Sequence, residues 1–166
     1  MSSIAIPQGF SLQVDSAAPG EGVRYAFILE TLVNLAEAAV MLSYPEKLLA
    51  LMLADKIQPV AATLVQYIGV CMIAITVPLA FGCLKTPTAI ESRRLTYWMY
   101  VIVEVAGISI FHYHATLGGE KVGLTPEALR FIANQLSVPL ALRLIPLVGK
   151  PDWMGKCKVV EEKKTK

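Results

Sequence analysis

The chain has 166 residues, 55% of them hydrophobic and 17% charged, with a formal net charge of +2 and a mean hydropathy of +0.55. Soluble domains carry about 25% charged residues, so the composition argues against a soluble or disordered chain, and so weak a net charge argues against a nucleic-acid binder. Three cysteines, Cys71, Cys83 and Cys157, are too few for a disulfide-stapled secreted domain.

Residues 1–22 contain Pro7, Gly9, Pro19, Gly20 and Gly22 and lack the basic start and apolar core of a cleavable signal. They read as a flexible tail, with the first span acting as an uncleaved targeting signal. Crossing a bilayer takes about 20 mainly apolar residues, and four stretches qualify: 25–42, 60–84, 95–115 and 128–148. After the first, residues 46–56 hold seven consecutive apolar residues between charges, too few to cross and suited to a short interfacial helix. The second span has no charge from Val60 to Leu84. Its Gly69, Ala74 and Ala80 admit a close neighbour, and Gln66 and Tyr67 are suited to interhelical hydrogen bonds. Cys71 and Cys83 lie 12 residues apart, about 18 Å along a helix, beyond disulfide reach. Thr125-Pro126-Glu127 is a strong start signal for the fourth span. Pro78, Pro139 and Pro146 fall inside spans and read as kinks. The expected architecture is all-α: an integral membrane four-helix bundle over 23–149, with the interfacial helix between the first two spans and a basic tail over 150–166.

Lys and Arg in the connections number ten on the side of the two termini and three on the other, which predicts both termini in the cytosol. The chain ends Lys163-Lys164-Thr165-Lys166. This resembles the dilysine retrieval signal of endoplasmic-reticulum membrane proteins, an address that a cytosolic receptor reads.

Ionisable residues within spans are costly and point to function. Glu30, Asn34 and Glu37 stand at i, i+4 and i+7 on one face of the first span. Tyr97, Tyr100 and Glu104 share one side of the third. His112 and His114 lie two turns beyond Glu104 on opposite flanks of its direction; His112, whose turn also carries Ser109, is the preferred member, and His114 reads as an interfacial residue at the headgroup level. In the fourth span Arg130, Asn134 and Ser137 repeat the i, i+4, i+7 spacing, with Gln135 beside them. Arg143 points about 220° away from Arg130, a direction that suits snorkelling to the cytosolic interface. Glu37 and Arg130 are near the same end of the bundle and are expected to pair, either as a clamp or in catalysis. No Gly-rich phosphate loop, Gly-x-Ser-x-Gly, His-Glu-x-x-His or Cys-x-x-Cys occurs, and a His-x-His pair on a helix does not converge on a metal. The expectation is a site without cofactor or metal.

Four spans with intramembrane carboxylates resemble the small sterol-isomerase-like and sigma-2-receptor-like (EXPERA-type) proteins of the endoplasmic reticulum, and the layout is also similar to the larger fungal membrane terpene cyclases. The resemblance lies in span pattern and acids, not in motif residues. It implies proton transfer on a lipophilic ring system or isoprenoid. In such a reaction Glu104 would be the acid, Glu30 or Glu37 would stabilise a cation or remove a proton, and His112 would assist. Tyr97 and Tyr100 would present aromatic faces, with Asn34, Arg130 and Asn134 lining the substrate. The alternative is a non-enzymatic lipid binder or an accessory subunit. Expected partners are the lipid bilayer, a lipophilic small molecule, and another membrane protein or a second copy, with no nucleic acid.

Overall fold

A computed structural model describes residues 10–53, 59–117 and 123–161. Its elements run β1 Phe10–Val14, α1 Glu21–Ser43, α2 Pro45–Ala50, α3 Pro59–Gly82, α4 Pro87–Thr116, α5 Pro126–Leu144 and β2 Cys157–Glu161, with a π-helical turn Ile145–Gly149 and a 3-10 turn Pro151–Met154 after α5. The fold is the expected all-α four-helix bundle, and α1, α3, α4 and α5 with its π turn are long and apolar enough to cross a membrane. Buried residues make up only 11% of the α1 and α3 spans and 22% of the other two, so most of the apolar surface is left for lipid. The chain is a multi-pass membrane protein.

Helix starts follow local chemistry. Thr125 Oγ1 accepts from Ala128 N at 3.2 Å, and Thr86 Oγ1 accepts from Ala89 N at 3.2 Å, each hydroxyl satisfying an otherwise free amide ahead of a proline at the first helical position. The Thr86 cap starts α4 at Pro87, well before residue 95, so the charged stretch read as a connection is the first two turns of a helix. Pro78 and Pro139 sit inside α3 and α5 as expected. Pro146 lies in the π turn, where Lys150 N donates to Ile145 O at 2.8 Å. The short helix expected between the first two spans is the six-residue α2, and residues 54–56 of the expected stretch lie outside the described residues.

Two hairpins build the bundle. α1 packs along α3 and α4 along α5, and the hairpins meet chiefly through α3 and α4. Gly69 and Gly82 permit the first pairing. A Cβ at Gly69 would stand 3.1 Å from Met41 Cβ, and one at Gly82 would be 2.3 Å from the Phe27 ring. Phe27 stacks on Tyr97 with centroids 4.6 Å apart, in a core shared with Val23, Leu79, Val101, Leu147 and Met154. Gln66 Nε2 donates to Leu42 O at 3.2 Å, the interhelical bond expected of it, while Tyr67 is exposed.

The N-terminal segment is not wholly a loose tail. Residues 10–14 pair antiparallel with 157–161, from Phe10 opposite Glu161 to Val14 opposite Cys157. The ribbon stands on a buried arginine. Arg93, fully buried, donates from Nε to Gly82 O (2.9 Å), from Nη1 to Gly20 O (3.2 Å) and Met154 O (3.1 Å), and from Nη2 to Leu84 O (3.3 Å). Arg24 Nε donates to Cys83 O at 2.8 Å, so two guanidinium groups take up three successive carbonyls at the C-terminal end of α3, where the helix dipole favours cations. Gly20 has φ +67°, and a Cβ there would meet Arg93 Nη1 at 2.7 Å, so both conformation and space require glycine. Arg93 is thus an internal fastening and not a charge of the connection between the second and third spans, where the Lys and Arg count places it. Burial also pushes the Cys157 thiol beside this region upward from its ordinary pKa.

Candidate functional site

Mid-bundle, the gap between α1 and α5 is bridged by side chains. Arg143 Nη2 reaches Glu30 Oε2 of α1 at 2.9 Å, and Arg143 Nη1 forms an ion pair with Glu104 Oε1 of α4. Arg143 is 3% exposed and Glu104 4%, which removes both from solvent and lipid. The snorkelling expected of Arg143 is therefore wrong. Its side chain turns inward because two carboxylates there offer more than the interface does, and a buried charge without a partner is strongly disfavoured.

Aromatic rings complete the setting. The Arg143 guanidinium lies 4.5 Å from the Tyr100 ring centroid and 5.8 Å from that of Tyr97, positions that favour cation–π attraction. Tyr97 Oη donates to Glu30 Oε1 at 3.4 Å, Tyr100 Oη donates to Ile75 O at 2.7 Å, and Asn34 Nδ2 lies 3.5 Å from Tyr100 Oη as donor. Glu104 Oε2 and Arg143 Nε, both buried, have no hydrogen-bond partner among the described residues. The cluster holds two acids against one base.

The structure brings together Glu30, Asn34, Tyr97, Tyr100 and Glu104, and adds Arg143 to them. It leaves four other candidates outside. Glu37, His112, Arg130 and Asn134 are exposed, and no Glu37–Arg130 ion pair forms among the described residues. Arg130 lies on the outer side of α5, while Leu129, Ala133 and Arg143 are the helix's buried residues. His114 is half-buried with its ring edge-on to Tyr113 at 5.4 Å. A separate cavity of about 350 Å³ lies between the ribbon and the start of α4, lined among others by Leu12, Ile90, Arg94, Leu147 and Cys157.

No protein family, curated protein or solved structure matches the chain. The chemistry of the site rests on its own geometry.

Proposed function

We propose that the chain is a membrane enzyme of the isomerase or cyclase type that moves a proton to and from a lipophilic, sterol- or terpenoid-like substrate within the bundle. One observation carries this reading: Glu104, a buried acid with an unpartnered oxygen, in a cluster that has one more acid than base. In the proposed resting site Glu104 carries a proton on its unpartnered Oε2, while Oε1 stays against Arg143. The proton passes to a carbon or oxygen of the substrate, and Arg143 neutralises the carboxylate left behind. Glu30 takes a proton from the substrate's other side, so the product leaves with no net change in protons, and once it has left Glu30 gives up its proton and Glu104 takes one up, which restores the starting state. Tyr100, half-buried, offers a ring face to the intermediate cation, while Tyr97, stacked on Phe27, holds Glu30 in place through its hydroxyl. The substrate enters from the bilayer between the hairpins, where the Glu30 side chain is 16% exposed and Asn34 is half-buried.

Glu104→Gln tests the proposal, because it keeps the shape and removes the transferable proton. Arg143 retains Glu30 as a one-to-one partner, so folding is expected to survive while turnover falls by about a hundredfold or more. The readout is conversion of hydrophobic molecules from a lipid extract by purified protein, followed by mass spectrometry. A variant as active as the parent removes Glu104 from the mechanism. A second reading, a non-enzymatic lipid-binding or accessory subunit, is favoured by Arg143 tying α1 to α4 through both terminal nitrogens, as a clamp does. Under that reading no conversion is seen, and Glu104→Gln lowers stability and ligand retention together.

We place the chain in the endoplasmic-reticulum membrane with both termini cytosolic. Support comes from the Lys and Arg majority on that side, which persists when the buried Arg93 is left out, and from the β1–β2 pairing, which needs both chain ends on one side. The dilysine sequence and the loop at 118–122 lie outside the described residues. Glycosylation acceptors engineered into that loop are expected to be modified and those in the C-terminal tail not, and the reverse pattern refutes the orientation. Changing Lys163 and Lys164 to serine should release the protein to later secretory compartments.

A further inference from the structure

We infer that two copies of the chain associate in the membrane about a two-fold axis, with Glu37 of each pairing with Arg130 of the other. The inference is independent of the proton-transfer reading, because neither residue touches the Glu30–Arg143–Glu104 cluster.

Glu37 is exposed on α1 between Val33 and Val40, both 46% exposed, so the acid lies in an apolar stripe. It is six residues from the end of the helix at Ser43, about 9 Å, too deep for so short a side chain to reach the interface. An unpaired carboxylate in hydrocarbon is strongly disfavoured, and no cation within the described residues pairs with it. The required cation is on the same molecule, facing outward. Arg130 is exposed on α5 at the head of a stripe that continues through Asn134, Ser137 and Ala141, all exposed and spaced four, three and four residues apart. Small residues below a long cationic one let a partner helix approach closely. Arg130 is four residues from the start of α5 at Pro126, about 6 Å.

Depth decides the partner. The end of α1 and the start of α5 are at the same end of the bundle, where Thr125 N donates to Met52 O at 3.1 Å and Leu53 bridges to Leu124. A two-fold axis along the membrane normal leaves every residue at its own depth, so two groups can pair across it only when their depths match. Glu37 and Arg130 lie about 9 Å and about 6 Å along their helices from that end, a difference within the reach of arginine. A self-complementary interface then forms the pair twice.

Charge reversal tests this in the full-length protein in lipid nanodiscs. Copies carrying Glu37→Arg, or copies carrying Arg130→Glu, set like charges opposite each other, and each is expected to lose self-association by about tenfold or more. Co-expressed with different tags, the two variants should recover it, because Arg at 37 meets Glu at 130 and native Arg130 meets native Glu37. That recovery also shows both variants to be folded. Glu37→Gln, which adds no repulsion, should weaken association less than Glu37→Arg. A parent that stays monomeric overturns the proposal. So do reversed variants that self-associate like the parent, or a co-expressed pair that does not recover.

Discussion

Arg143→Met is expected to destabilise the bundle by about 3–5 kcal/mol, the usual cost of leaving buried charges without their partner. Two carboxylates from different helices, Glu30 and Glu104, would then face each other, and the two hairpins would lose the link between α1 and α5. Thermal unfolding in detergent, followed by helical circular dichroism, measures the loss. The effect should be largely reversed when Glu30→Gln and Glu104→Gln are added, since a neutral cluster no longer needs the guanidinium. An Arg143→Met protein as stable as the parent would mean that the ion pairs contribute nothing to holding the helices together.

Arg93→Met should produce a loss of similar size at the other end of the molecule. It strands the carbonyls of three buried residues, Gly20, Gly82 and Met154, and releases that of the exposed Leu84, and each buried acceptor left without a donor costs about 1–3 kcal/mol. The damage has a location, because two of those carbonyls belong to the segments leading out of β1 and into β2. Amide hydrogen exchange should therefore quicken in residues 10–14 and 157–161 before it quickens in the spans. Lysine is a poor replacement, since one ammonium cannot direct donors to four carbonyls as the planar fork does. Unchanged protection of the ribbon would show that Arg93 is not what holds it.

The spans were legible because long apolar runs have few alternatives in a chain with so few charges. The start of α5 was legible from Thr125 and Pro126, and the same Thr-Pro pair at Thr86 and Pro87 marks the start of α4. There the signal was masked by Glu91, Arg93 and Arg94, charges that look like a connection. A buried arginine in the first turns of a helix makes sense only with its distant acceptors, Gly20 and Met154, 73 and 61 residues away in sequence. Helical spacing correctly put Tyr97, Tyr100 and Glu104 on one side of α4, since that is a property of a single element. Which basic group meets the acids depends on how separate helices stand against one another. Angles along α5 separate Arg143 from Arg130 but do not say which of them faces the core. Depth was the unused signal. Counted from the end of the bundle that carries the termini, Glu30 is nine residues into α1 from Glu21 and Arg143 six residues from the close of the π turn at Gly149, so the two are nearly level.

The β1–β2 ribbon sets an order for biosynthesis. Its first strand precedes all four spans in the chain, and its second follows them. The N-terminal strand must therefore wait unpaired until all four helices have been threaded into the bilayer and the chain has returned to its starting side. Closing so long a loop carries an entropic cost met only once the intervening helices have brought its ends together. Ribbon formation thus requires an even number of crossings: a chain stalled with an odd number has its two strands on opposite sides of the membrane, and no local rearrangement can pair them.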